Sequence, residues 1–243
     1  MDPPKLIARV KPIVPSTIKR TVKRRIPTRY HRYFDPDWHR RTIGYIEEWE
    51  RHGRAQFDYL VGQGLQPHHH LLDIGCGPLR GGVHFIGYLE PGHYFGVDKN
   101  EDVVEAARDQ ELERYGLIDR RPTLVAMENF DFPSLRQSFD YAWAQSVFTH
   151  LPLNSIIRCV MNVERVLVDG GKFYVTFYEN KRGKFDLDPI HQSEQVTSYF
   201  DRDSYHYDFA TFEWICEATS LDVRYLGGWD NPRNQKVLVF SKG

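Results

Sequence analysis

One nonapeptide constrains this chain more than any other stretch: His70-Leu71-Leu72-Asp73-Ile74-Gly75-Cys76-Gly77-Pro78. An apolar run ends in an acid and then in two glycines one residue apart. This is the pattern of a buried parallel strand running into a sharp turn where backbone comes very close to a ligand. A second stretch, His93-Tyr94-Phe95-Gly96-Val97-Asp98, again ends in an acid. Asp98 lies about twenty residues past the glycines, the separation at which an acid on strand two reaches a ribose held over the first turn. Together the two stretches point to a nucleoside cofactor.

The kind of cofactor follows from the rest of the turn. A dinucleotide fingerprint places glycine at the sixth position of G-x-G-x-x-G. Here that position is Arg80, and the next glycines are Gly81 and Gly82. Pro78 also removes an N–H that a diphosphate would use. A nicotinamide-dependent oxidoreductase is therefore disfavoured. The run Asp73-Ile74-Gly75-Cys76-Gly77-Pro78 instead resembles the first motif of the class I S-adenosylmethionine-dependent methyltransferases, and Gly96-Val97-Asp98 resembles the second. The likeness continues through Phe139-Asp140-Tyr141-Ala142-Trp143-Ala144-Gln145-Ser146-Val147-Phe148-Thr149-His150-Leu151. It ends at Glu164-Arg165-Val166-Leu167-Val168-Asp169-Gly170-Gly171-Lys172-Phe173, where Asp169 replaces the proline usual before the two glycines. Four blocks in order cover roughly residues 66 to 180.

The resemblance implies an α/β fold, a doubly wound Rossmann-like sheet of seven strands with the last one antiparallel. Alternating strand and helix patterns agree with a doubly wound sheet. Strands are expected near 70–74, 93–98, 123–127, 141–145, 172–178, 222–227 and 236–240. Helices are expected near 80–89, 103–112, 154–167 and 210–219, with a further helix from Trp38 to about Gly62 broken near Gly53. The implied donor is S-adenosylmethionine, leaving S-adenosylhomocysteine. The implied contacts are Gly75 and Gly77 at the turn with Asp73 beneath them, and Asp98 with its neighbour Lys99 at the ribose. Met127 and Glu128 fall at the adenine and Gln145 beside the cofactor. Arg54, near the helix break, is a candidate for the cofactor carboxylate. Cys76 reads as a small residue that fits beside the cofactor rather than as a nucleophile.

Charge is unevenly spread. Residues 1–41 carry +9, counting Lys and Arg against Asp and Glu, so the remainder carries −10 within a total of −1. The arm interleaves Lys19, Arg20, Lys23, Arg24, Arg25 and Arg29 with Ile18, Val22 and Ile26, and prolines cut it into short pieces. Ser16 is placed to cap a brief helix over 17–26. Three readings compete: an arm or lid over the body or a sister subunit, a basic segment touching an anionic membrane surface, and a nucleic-acid contact. The first is preferred. The acidic body and the lack of a recognised module exclude nucleic acid as a partner. The chain then divides into the arm, 1–41, and a methyltransferase domain, 42–243. A homo-oligomer is compatible with the sequence. No apolar run reaches the eighteen or so residues of a membrane span. Three scattered cysteines give neither a metal knuckle nor an obvious pairing, which favours a reducing cytoplasm, with peripheral contact at the inner membrane surface left open through the arm.

The chemistry is expected in two places. One is the loop after the fourth strand, where His150 is a candidate base because imidazole exchanges protons near neutral pH. The other is the insertion 179–207, which is expected to cover the substrate. There, aromatic residues alternate with Asp186, Asp188, Asp201 and Asp203, and His191 and His206 compete with His150. Rings that cover C–H faces beside carboxylates that accept hydroxyls suit a saccharide or polyol. A divalent ion is not favoured, since the acidic and histidine spacing is irregular. His68-His69-His70 is no metal site either, because successive side chains of an extended strand point to opposite faces. The sequence reading is thus an O-methyltransferase acting on a hydroxyl of a saccharide, glycolipid or related small molecule. An N-methyltransferase, or a non-catalytic cofactor-binding partner subunit, stands as the alternative.

Overall fold

The computed structural model describes residues 35–44, 46–180, 187–229 and 233–243. The expected arm helix over 17–26 lies outside them. The described elements begin with a short helix α1 (Trp38–Arg41), then α2 (Trp49–Gly62), β1 (Leu71–Ile74), α3 (Gly82–Tyr88) and β2 (Tyr94–Asp98). Helix α4 (Glu101–Ala106) continues through a π turn over Ala107–Glu111, and β3 (Thr123–Ala126) and β4 (Phe139–Ala144) follow. The second half holds α5 (Leu153–Glu164), β5 (Leu167–Glu179), β6 (Ile190–Ser193), β7 (Val196–Ser198), β8 (His206–Tyr207), α6 (Phe209–Cys216), β9 (Leu221–Gly228) and β10 (Lys236–Lys242).

The main sheet runs β3-β2-β1-β4-β5-β10-β9, with β8 added beside the end of β5. The ladders from β3 to β5 are parallel, and β10 is antiparallel to both neighbours. The expected doubly wound sheet with an antiparallel last strand is present.

Period-two alternation builds a core on each face of the sheet. Leu72, Ile74, Ala142, Ala144, Phe173 and Val175 face one side and pack with Ile156, Val160 and Val163 of α5 and Phe212 of α6. Leu71, Tyr141, Trp143, Tyr174 and Val239 face the other, against Leu60 of α2 and Val83, Phe85 and Ile86 of α3. Each fully buried side chain of this size contributes roughly 1.5–3 kcal/mol through removal from water. The buried Trp143 indole N–H donates to Gln56 Oε1 of α2 at 3.3 Å.

Two local expectations are corrected. Helix α2 is not broken at Gly53 but runs through it. The glycine is kept for proximity: a side chain there would run into the carbonyl oxygen of Arg80. The Asp169-Gly170-Gly171 segment is not a turn before strand five but an irregularity within β5. Leu167 pairs with Phe139 while Lys172 pairs with Tyr141, so five residues of β5 are spanned against two of β4.

The insertion folds back on the sheet. β6 and β7 pair as an antiparallel ribbon, and β8 lies parallel to β5 through Tyr178 and His206. Gln192 donates to the Glu179 carbonyl at 3.1 Å and to Ser198 Oγ at 2.9 Å. The Tyr205 N–H donates to the Thr149 carbonyl at 2.7 Å, and the Tyr207 hydroxyl donates to the Leu151 carbonyl at 2.6 Å. These bonds tie the insertion to the loop after β4.

Candidate active site

The strand order reverses between β1 and β4, so a crevice opens at their carboxyl ends. Gly75 has φ +70° and Gly77 φ +53°, left-handed values that glycine adopts without strain. A side chain on Gly75 would meet Val147 at 2.5 Å, so the turn sits directly against the loop after β4. Asp98 stands at the end of β2. Its carboxylate accepts the Gly77 N–H at 3.1 Å and the Asn100 N–H at 2.9 Å. A carboxylate has about four acceptor positions, so it retains capacity for two vicinal hydroxyls.

Asp73 lies lower in the crevice. It is buried and accepts the Tyr94 hydroxyl at 2.6 Å. Burial pushes its carboxyl up to about 7, against the effect of the Tyr94 bond, and the nearby Asp98 pushes in the same direction as burial. Cys76 is buried, and burial raises its thiol well above the ordinary range, so it remains a thiol rather than a reactive thiolate. Lys99 and Glu128 are exposed beside the crevice, and the Met127 N–H donates to the Asp98 carbonyl at 2.8 Å.

The loop after β4 is fixed by a compact polar network. Ser146, at φ +58°, donates its N–H to Thr176 Oγ1 at 2.7 Å. The Thr176 hydroxyl donates to Gln235 Oε1 at 2.9 Å, and the Gln235 amide donates to Ser146 Oγ at 2.6 Å. Gln145 turns its amide toward Ser146 Oγ at 2.7 Å. The network holds β4, β5 and the segment before β10 in one arrangement at the crevice.

Next to it lies a cavity of about 450 Å³ lined by Gly44, Glu47, His150, Tyr178, Gln195, Val196, Ser204 and Arg233. His150 ends a short 3-10 turn (Phe148–His150), and its Nδ1 lies 2.6 Å from Asp203 Oδ1. The Asp203 carboxylate can accept only from a protonated Nδ1, which leaves Nε2 as the ring's proton acceptor.

Three of the expected site residues fall elsewhere. His191 is an exposed residue of β6 whose Nδ1 bonds the Thr197 hydroxyl at 2.9 Å. His206 is buried in β8, with Nδ1 3.0 Å from Ser198 Oγ. Both serve the insertion's own structure, and neither lines the cavity. Arg54 points to the outer face of α2, where it pairs with Asp58 at 2.9 Å and covers the Phe57 ring. It is a surface pair, displaced because α2 is continuous through Gly53. Among the described residues, no group of three or more His, Cys, Asp or Glu is placed to hold a metal ion. Conversely, Tyr178, Arg233 and Glu47 escaped the sequence reading, and Asp203 appeared there only as one of several acids. A signal existed for Arg233. β9 runs in the same direction as β5, so the loop leaving it returns to the carboxyl edge.

A family model described as a methyltransferase domain matches residues 72–173. The chain is 29% identical over 110 residues to cycloartenol-C-24-methyltransferase of Arabidopsis thaliana, a match covering 45% of this chain and 31% of that protein's length. Solved structures agree in fold. Magnesium protoporphyrin IX methyltransferase from Synechocystis PCC 6803 with bound SAM superimposes with TM-score 0.60 at 16% identity, covering 89% of this chain and 95% of that one. An S-adenosylmethionine-dependent methyltransferase from Clostridium acetobutylicum gives 0.59 at 13% identity, covering 88% and 99%. The matched segment, the strand order and the glycine turn agree: the chain has the Rossmann-like fold of these solved structures, and its residues 72–173 are similar to a methyltransferase domain.

Proposed function

We propose that this protein transfers a methyl group from S-adenosylmethionine to a hydroxyl of a small molecule, of the saccharide or glycolipid class. The observation that carries the reading is His150 on the wall of the cavity, with its Nδ1 held by Asp203. The residues at the turn fit the donor. Gly75 and Gly77 give the tight left-handed turn against which its amino-acid part would lie, and Asp98 has acceptor capacity for its ribose hydroxyls. Pro78 withholds an N–H that a diphosphate would need. When bound, the donor supplies an electrophilic methyl on a sulfonium.

The chain's own residues perform the remaining tasks. The ribbon of β6 and β7 and the Tyr178 wall exclude water and hold the acceptor within about 3 Å of the methyl carbon. His150 accepts the hydroxyl proton at Nε2, and Asp203 keeps the ring in the required tautomer. Asp203 is a positioning residue, since it acts through His150.

Calorimetry tests the donor first. S-adenosylhomocysteine is expected to bind, and tight binding of NAD or NADP with none of S-adenosylhomocysteine would overturn the assignment. A screen of hydroxylated saccharides and lipids with methyl-labelled donor identifies the acceptor. With an acceptor in hand, His150→Ala is expected to lose on the order of a hundredfold or more in turnover while S-adenosylhomocysteine affinity is kept. Asp203→Asn should lose less and shift the pH–rate profile. Undiminished turnover by His150→Ala would remove it as the base.

A further inference from the structure

Arg80 occupies the sixth position of the glycine turn, and its surroundings do not explain its charge. The residue is 7% exposed. Among the described residues its one hydrogen bond is from Nη1 to the Gly44 carbonyl at 3.4 Å, and its Nε has no partner. Burial lowers its pKa to about 10, and the second cause is the neighbouring charge of Arg233. A buried guanidinium without a counter-ion is costly, and it becomes favourable once an anion completes it.

Arg233 approaches the same glycine. A side chain on Gly44 would lie 3.6 Å from Arg233 Nη2, and that guanidinium also donates to the Ile43 carbonyl at 3.4 Å. Gly44 and Arg233 are both walls of the 450 Å³ cavity. Glu47, also on the wall, is exposed and forms no hydrogen bond with Arg80. The positive field reaches His52, whose pKa is lowered first by burial and next by Arg80, with Arg233 contributing.

We propose that Arg80 and Arg233, which both reach the Ile43–Gly44 segment, form a seat for an oxyanion, a carboxylate or phosphate group, at the edge of the acceptor cavity. Guanidinium groups bind such oxyanions through paired, charge-assisted hydrogen bonds. The proposal deepens the methyl-transfer reading and rests on it for the identity of the cavity. Most of the lining, from His150, Tyr178, Gln195, Val196 and Ser204, belongs to the insertion and to the loops beside it, which places the seat on the acceptor side. The acceptor is then an acidic molecule, such as a phosphorylated or carboxylated saccharide. The amino-acid carboxylate of the donor offers the same chemistry from the other side of the seat.

The test titrates S-adenosylhomocysteine, 5′-deoxy-5′-methylthioadenosine and inorganic phosphate into the full-length protein and into Arg80→Met and Arg233→Gln. Phosphate binding by the S-adenosylhomocysteine-saturated protein, weakened at least tenfold in both variants with S-adenosylhomocysteine affinity unchanged, assigns the seat to the acceptor. A tenfold loss of S-adenosylhomocysteine affinity in both variants, with methylthioadenosine unaffected, assigns it to the donor's carboxylate. Folded variants that bind all three probes like the parent overturn the seat. Should Arg80→Met not fold, Arg233→Gln alone decides by the same criteria. Failure of the parent to bind S-adenosylhomocysteine sinks the methyl-transfer reading instead, while the phosphate titration without cofactor still judges the seat.

Discussion

Two largely buried arginines of this protein live in opposite surroundings. Arg40, in α1, meets Glu111 through a paired contact, Nε to Oε1 at 2.8 Å and Nη2 to Oε2 at 2.6 Å. His39 adds a bond to the same carboxylate at 2.5 Å, and the Arg40 guanidinium lies 4.5 Å from the Trp49 ring centroid. Burial alone would raise the Glu111 carboxyl, but Arg40 and His39 together hold it down at about 2. Arg80 has one long bond and no anion among the described residues. Both groups are drawn out of water, but only one is compensated by the described residues. The first cluster docks the end of the arm onto the body through the π turn after α4. The second leaves its charge available for a ligand. Burial of a charge therefore does not announce its role, whereas the completeness of its partners does.

The largest expected effect comes from emptying the complete cluster. Glu111→Ala strands His39 and Arg40 and should cost about 3–5 kcal/mol. Thermal unfolding should show this as a fall of roughly 10 °C. An unchanged melting temperature would mean that the cluster is decorative and the comparison unsound.

Next in size is the pH dependence, in which two buried acids have opposite signs. Glu111 is held down at about 2 from 4.5, so its contribution is fully present above about 4.5 and is lost as pH falls towards 2. Asp73 is raised to about 7 from 3.8, so the folded state holds a proton there that the unfolded chain has released. Its ionisation opposes folding as pH rises through the interval from 3.8 to about 7. Asp73→Asn should flatten the stability profile over that interval by up to about 4 kcal/mol. Chemical denaturation across pH would record it, and an unaltered slope would show that Asp73 is already ionised.

The smallest expected effect is the sharpest contrast. Arg80→Met replaces an uncompensated buried charge with an apolar chain of similar length. Its stability should stay within about 1 kcal/mol of the parent, or rise. A loss as large as that of Glu111→Ala would show that Arg80 has a structural partner after all, and would erase the distinction between the two arginines.

The order of strands, the glycine turn and the acid at the end of β2 were legible from the chain alone. Each is written in local pattern: buried runs of strand length, two glycines that only left-handed backbone requires, and an acid at a set distance. The sequence placed His150 in the loop after β4, and the structure puts it on the cavity wall. Its two histidine rivals could not be separated from it by pattern, because His191 and His206 sit in the same polar insertion. The difference between them is which one folds against the cavity, and long-range bonds such as Tyr205 to Thr149 settle that. Arg54 shows the same limit at shorter range. Its facing depended on α2 staying continuous through Gly53, and that glycine is explained by its approach to Arg80 rather than by a break.

The sequence by itself determined the sheet and the glycine turn, because periodicity and turn chemistry act over a few residues. Only the tertiary structure decided which side chains share the cavity. Gly44, His150 and Arg233 line it together although about a hundred residues separate each from the next along the chain, and no local rule reaches that far. Their proximity follows from the parallel strands, which deliver their carboxyl ends to one edge of the sheet, and from an insertion whose backbone bonds are satisfied only against that edge.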